Sequence, residues 1–265
     1  MRQFSPREIN WLRKWEVYET SQMEKYGEIP VEYIVGWAEF YGREFVVNQN
    51  VLIPRIETEQ LIDKAVRILT SKIDSHAPIS SGLGMTMTIA DIGTGCGCIG
   101  ITLYLELVKL KIQPTIYMSD ISEKALEIAK KNINGLTKGL AFLKRPGLLW
   151  LTSDLMNSFP EKLKFDLIIA NLPYIPSSRI SKLLESVKDF EPCLALDGGS
   201  NGIKLINKLI AQSQLRLKLS GVLLLEIDET HTIKDLLLPK SFKAEIIKDQ
   251  FGKRRFVKII KRLNG

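Results

Sequence analysis

Ile89-Ala90-Asp91-Ile92-Gly93-Thr94-Gly95-Cys96-Gly97 is a short apolar strand that runs into a turn of alternate glycines. Gly93, Gly95 and Gly97 allow the backbone to turn sharply and to approach a ligand with no Cβ in the way. The apolar stretch that follows predicts a helix to about residue 111. Its first N–H groups point back at the turn and suit an anionic group. A strand, a glycine turn and a helix form the opening unit of a parallel α/β sheet, and the flanking segments decide whether the rest is present.

They do. Counting residues 87–92 as the first, the apolar pattern predicts further strands at 115–119, 148–152, 165–170, 222–227, 243–248 and 254–260, with helices at 122–133, 202–219 and 230–237. Such alternation implies an α/β fold, a sheet wrapped by helices. The last two strands are joined only by Asp249-Gln250-Phe251-Gly252, too short for a crossover, so the final strand is expected to run antiparallel. The expectation is a mostly parallel seven-stranded sheet with its last strand reversed. Upstream, Ser5 and Pro6 open a helix predicted over 6–26, with Trp11 and Trp15 at a spacing that packs it on the core. Residues 44–53 alternate around Asn48-Gln49-Asn50 and predict a hairpin. A helix over 57–73 carries Leu61, Ile62, Ala65, Val66 and Leu69 on one face. A polar linker at 76–84 then divides a helical and hairpin extension, 1–84, from the α/β domain, 85–265.

Composition narrows the function. Of 265 residues, 45% are hydrophobic and 25% charged, as in an ordinary globular chain. No apolar run is long enough for a membrane span, and residues 1–15 are broken by Arg2, Arg7, Glu8, Arg13 and Lys14 where a signal peptide would be continuous. A cytoplasmic location is expected. Three cysteines cannot build a disulfide framework, and Cys96 and Cys98 with two histidines do not supply a zinc set, so no metal is expected. Neither histidine lies in a nucleophile motif. The net charge of +7 is compatible with a nucleic-acid partner but does not favour one. Many of the basic residues alternate with Phe256, Val257, Ile259 and Ile260, as in a half-buried strand with charged flanks.

Ligands of parallel sheets bind beyond the carboxyl ends of the strands. Asp91 ends the first strand, where it can meet an amine or a water. Asp120 ends the second, where a carboxylate can accept two ribose hydroxyls, and Asp154-Leu155 follows the third, beside the edge and face of a base. Each acid can also cap or solvate a loop, and Asp120 with Ser122 can be capping alone. The glycine spacing is G-x-G-x-G, unlike the dinucleotide G-x-G-x-x-G, and three acids at successive strand ends favour a nucleoside. The fourth strand ends in Asn171-Leu172-Pro173-Tyr174. The Asn171 side-chain oxygen and the Leu172 carbonyl can accept both N–H bonds of a planar NH₂ group while Tyr174 packs on its face. The same four residues can equally be a turn leaving a sheet.

Asp91–Gly97 together with Asn171–Tyr174 resembles the class I, Rossmann-like S-adenosylmethionine-dependent methyltransferases that modify planar nitrogens. Leu52-Ile53-Pro54-Arg55-Ile56-Glu57-Thr58-Glu59, Pro30-Val31-Glu32-Tyr33-Ile34-Val35-Gly36, Phe190-Glu191-Pro192, Ala195-Leu196-Asp197-Gly198-Gly199 and Leu223-Leu224-Leu225-Glu226-Ile227 are similar to signatures of the protein-(glutamine-N5) methyltransferases of peptide chain release factors. The resemblance implies S-adenosylmethionine, leaving as S-adenosylhomocysteine, bound by Asp91, Gly93, Thr94, Gly95, Cys96, Gly97, Asp120, Asp154, Leu155 and Asn171. It implies a substrate glutamine, from a Gly-Gly-Gln loop, held by Asn171, Leu172, Pro173 and Tyr174 with Arg55 and Glu57, catalysis resting on Asn171, Pro173 and Tyr174. Leu172 and Ile56 stand where the family pattern carries proline. Pro173 still biases Leu172 toward an extended backbone, and a carbonyl remains to accept hydrogen bonds, so a looser but working site is expected. The competing readings are a ribosomal-protein glutamine, an exocyclic amine of DNA or RNA, and a nucleotide-binding scaffold without activity.

Overall fold

The structure is a computed structural model that describes residues 4–17, 25–74, 86–138 and 147–262. The linker predicted at 76–84 lies outside them. The extension contains α1 (Pro6–Lys14), α2 (Val31–Val35), β1 (Trp37–Phe40), β2 (Arg43–Val46) and α3 (Ile56–Asp74). There follow β3 (Thr88–Ile92), α4 (Cys98–Lys109), β4 (Thr115–Asp120), α5 (Glu123–Leu136), β5 (Leu148–Thr152) and β6 (Phe165–Ala170). After two single-turn helices, α6 (Ser177–Ile180) and α7 (Glu185–Lys188), come α8 (Lys204–Arg216), β7 (Leu217–Glu226), β8 (Phe242–Lys248) and β9 (Arg254–Lys261).

The large sheet has seven strands in the order β5-β4-β3-β6-β7-β9-β8. β9 is antiparallel to both its neighbours, and the other pairs are parallel, so one reversed strand closes the sheet as the short 249–252 connection requires. Period-two alternation divides the core into two layers. Ile89, Leu167, Ile169, Val222 and Leu224 face one side with Leu61, Leu69, Ile101 and Leu107. Ala90, Ile92, Ile168, Leu223 and Leu225 face the other with Ile206, Leu209 and Ile210 of α8. Among the described residues no helix is long and apolar enough to cross a membrane.

Local details depart from the sequence pattern in four places. The hairpin is β1–β2, not 44–53, and turns at Tyr41-Gly42, both in the left-handed region with φ of +52° and +66°. A tyrosine there is strained, and it is held from α3: its N–H donates to Glu59 at 2.7 Å and its hydroxyl to Asp63 at 2.8 Å. Asn48-Gln49-Asn50 does turn, because Asn48 Oδ1 accepts the Asn50 N–H at 2.9 Å, but it leads into α3. α1 stops at Lys14, and part of the predicted 6–26 helix lies outside the described residues. Its Ser5–Glu8 capping box closes the first turn, while Leu12 is buried and Trp15 stacks on Trp37 with ring centroids 5.3 Å apart. The helix predicted over 202–219 gives up its last residues to β7, which begins at Leu217. Of the helix predicted over 230–237, only a 3₁₀ turn, Ile233–Asp235, forms before Pro239 ends the segment.

One side chain fastens the extension to the glycine turn. Asn132 of α5, almost fully buried, accepts the Val46 N–H at 2.7 Å and donates to the carbonyls of Val46 at 3.1 Å and Cys96 at 2.8 Å. Replacing Asn132 by Ala leaves these groups without partners. The expected loss of stability is about 2–3 kcal/mol, read as a lower urea midpoint at unchanged slope. An unshifted midpoint would show that water or local repacking satisfies them.

Candidate active site

The glycine turn is shaped by the carbonyl at the end of the neighbouring strand. Ser119 pairs with Ile92 in the parallel register, and its carbonyl accepts the N–H groups of Gly93 at 2.8 Å and Thr94 at 2.9 Å. The turn closes with Gly97 N–H on Thr94 O at 2.8 Å. Gly97 has φ of +85°, and a Cβ there would come within 2.7 Å of Ile101 and 2.9 Å of Ala129, so only glycine fits. Behind the turn, Asp91 is fully buried and its Oδ2 accepts the Thr94 hydroxyl at 2.5 Å and the Gly100 N–H at 2.9 Å. Asp91 Oδ1 is buried and has no hydrogen-bond partner among the described residues. Burial pushes this carboxyl up to about 7 against those two hydrogen bonds, with Asp120 adding to the rise.

Asp120 closes the turn from the next strand. Its Oδ2 accepts Gly95 N–H at 2.8 Å, and its Oδ1 accepts Ser122 N–H at 2.9 Å. Burial lifts its pKa, and the N–H groups of Ser122, Gly95 and Ile121 pull it back. Asp154 behaves differently. Its side chain is 42% exposed and is paired with Lys208 at 2.5 Å, while Leu155 is buried with φ of +51°.

Between these strand ends lies a cavity of about 300 Å³. Of the residues singled out by sequence, Gly93, Thr94, Gly95, Cys96, Asp120, Asp154, Leu155, Asn171, Leu172, Pro173 and Arg55 line it. Asp91, Gly97, Tyr174 and Glu57 are not on its wall. The first two support the turn from behind. Tyr174 packs against the second core layer, and its hydroxyl donates to Glu226 Oε1 at 3.0 Å. The wall fits an adenosine-like ligand by its chemistry. Asp120 keeps acceptor capacity for hydroxyls, Ile99, Ile121, Ala125 and Leu155 offer apolar faces, and the first turn of α4 presents N–H groups to an anion.

Thr58, Glu191 and Glu226 are site residues that the candidates named from sequence omit. Asn171 Nδ2 donates to Thr58 Oγ1 at 3.2 Å, and the Thr58 hydroxyl donates to Glu226 Oε2 at 2.8 Å. Glu226 is buried, which raises its pKa against the pull of both hydroxyls and the Arg255 charge. Glu191, equally buried, pairs with Arg55 at 2.5 Å and accepts the Ile53 N–H at 3.3 Å. Two signals were available: Thr58 sits inside the Leu52–Glu59 signature, and Glu226 is an acid ending an otherwise apolar strand.

The Asp91 shift has a stability consequence. The folded pKa lies above the ordinary value of 3.8, so the native state holds a proton that the unfolded chain releases. The contribution is whole below about pH 4 and is lost as the pH rises through about 7. Asp91→Asn keeps an acceptor for Thr94 and Gly100 but cannot titrate. Without ligand, wild-type stability is expected to fall more steeply than the variant's between those limits, by up to about 1.4 kcal/mol per pH unit. Parallel curves from denaturant titrations across this range would place the proton elsewhere.

Comparison with known proteins agrees with the geometry. The model of the methyltransferase small domain matches residues 54–186. The chain is 38% identical over 247 residues to the release factor glutamine methyltransferase of Leptospira interrogans, covering 91% of this chain and 78% of that protein. It is 34% identical over 242 residues to the release factor glutamine methyltransferase of Bacillus subtilis, covering 89% and 76%. Among solved structures, a methyltransferase from Pyrococcus furiosus superposes with a TM-score of 0.51 at 15% identity, over 84% of this chain and 90% of that one, a likeness of fold. With these alignments running through both the glycine turn and the Asn171 segment, the chain belongs to the release factor glutamine methyltransferase family.

Proposed function

We propose that this chain transfers a methyl group from S-adenosylmethionine to the side-chain amide nitrogen of a glutamine in a peptide chain release factor, in the cytoplasm. The observation that carries this reading is Asn171. Its NH₂ is tied to Thr58 and its residue lines the cavity beside Gly93–Gly95, so its oxygen is left to accept from an NH₂ group brought there. When bound, S-adenosylmethionine would supply a methyl carbon activated by its sulfonium and leave as S-adenosylhomocysteine, while the amide nitrogen that gains the methyl would give up one N–H proton to water. Asp120 and the Asp154-Leu155 turn would hold the nucleoside, and the glycine turn the amino-acid end.

The protein's own part is positioning. An amide nitrogen is a poor nucleophile because its lone pair is delocalised. Two acceptors, Asn171 Oδ1 and the Leu172 carbonyl, fix its rotation and raise its electron density, while Pro173 lines the pocket and Tyr174 anchors the segment through Glu226. We assign methyl transfer to residues 85–265. The extension, 1–84, contributes Arg55 and Thr58 to the acceptor side. The C-terminal basic residues give little support to a nucleic-acid acceptor: Lys258 pairs with Glu245, Lys253 with Glu229, and Arg255 with Asp249.

Labelled S-adenosylmethionine offered with a release factor, a ribosomal protein and DNA in separate reactions is expected to mark the release-factor glutamine. Label on DNA alone would overturn the proposal. Asn171→Ala should lower kcat by about 10²–10³-fold, the range for loss of one preorganised polar group, while the Kd for S-adenosylmethionine stays within a few fold. An Asn171→Ala enzyme with full activity would remove Asn171 from the mechanism.

A further inference from the structure

Asn171 serves a planar NH₂ acceptor only if its oxygen, and not its own NH₂, is turned to the cavity. The two ends of a carboxamide are nearly equal in size, so packing alone does not choose between them. A partner of fixed polarity must. Thr58, on the first turn of α3 and 2% exposed, receives the Asn171 Nδ2–H at 3.2 Å. A threonine hydroxyl has one proton, and this one is committed to Glu226 Oε2 at 2.8 Å. Toward Asn171 the Thr58 oxygen can therefore act only as an acceptor. The amide answers with its NH₂, and its oxygen is left facing away from Thr58. Glu226 Oε1 meanwhile accepts from Tyr174 at 3.0 Å, so one buried carboxylate at the end of β7 is bonded to Tyr174 directly and to Asn171 through Thr58.

We propose that Thr58 and Glu226 are positioning residues that set the direction of the Asn171 amide, and thereby make the site select a carboxamide over a carboxylate. This rests on the reading of Asn171 as the group that binds the acceptor. A glutamine amide offers hydrogens to an oxygen wall, whereas a glutamate side chain would meet acceptor against acceptor. Specificity of this kind is built by leaving the wrong partner's polar groups unpaired. A reversed Asn171 would present NH₂ to NH₂ for the substrate and welcome the carboxylate instead.

Thr58→Val keeps the shape and removes the polarity, and Thr58→Ser restores the hydroxyl. With a release-factor peptide as acceptor, Thr58→Val is expected to lower kcat by about 30–100-fold with the cofactor Kd within twofold of wild type. Inhibition by the same peptide carrying glutamate for glutamine should strengthen by about tenfold relative to glutamine-peptide binding. Thr58→Ser should recover most of the rate and the glutamine preference. The inference is overturned if Thr58→Val is as fast as wild type, if it slows with an unchanged glutamine-to-glutamate ratio, or if Thr58→Ser is as impaired as Thr58→Val. Should wild type methylate no acceptor, the proposed function falls. The amide direction is then read from hydrogen exchange of the Asn171 NH₂ by NMR: protection drops at least about tenfold in Thr58→Val if the inference holds, and is unchanged if it does not.

Discussion

A parallel sheet can bring together only what lies at the same ends of its strands, and in this protein that constraint places Asp120, Asp154, Asn171 and Glu226. β3, β4, β5, β6 and β7 all finish at one edge, in the order β5-β4-β3-β6-β7. The chain leaves β3 toward β4 and β5, then crosses back to place β6 on the other side. The ends of β3 and β6 therefore diverge, and the cavity opens between them. Asp120 and Asp154 fall on one side of that switch, while Asn171 and Glu226 fall on the other. The placement of Asp120 and Asp154 on one wall of the cavity and Asn171 on the other thus follows from strand order.

Burial then decides what the acids can do. Asp91, Asp120, Glu191 and Glu226 have their pKa values raised because burial strips each of part or all of its solvation. Each is answered by protein donors that define its task. The Thr94 hydroxyl and main-chain N–H groups meet Asp91 and Asp120, so these two shape the backbone of the glycine turn and of the segments beside it. Arg55 and the Ile53 N–H meet Glu191, which ties the entry to α3 onto the segment after β6. Two hydroxyls meet Glu226. A buried carboxylate with incomplete partners is costly, so these groups are weak evidence for stability.

The large sheet was legible because its strands obey period-two burial and its helices are separated by glycine, proline and polar turns. Six of the seven strands match their expected bounds to within a residue at each end, and the reversed β9 followed from the length of one connection. The hairpin was not legible. Its turn uses Tyr41 at positive φ, which intrinsic preference disfavours, and tertiary bonds to Glu59 and Asp63 hold it there. The site divides on the same line. Residues on the strand ends, such as Asp120 and Asn171, could be placed because the sheet places them. The Thr58 bond to Glu226 spans 168 positions of sequence, and no local pattern records that partnership.

Leu172 shows how a departure from the family pattern is absorbed. A proline at this position would fix φ with its ring. Leucine instead fixes the backbone through its side chain, which is 4% exposed and joins Ala90, Ile92 and Ile168 in the second core layer. A Cβ on Gly93 would stand 3.0 Å from Leu172 Cδ2, so the leucine fills space that the glycine turn leaves open. The ring and the packed side chain are two physical ways of constraining the backbone beside Asn171. In this chain the glycine turn and the Asn171–Tyr174 segment meet where the Leu172 side chain packs beside Gly93.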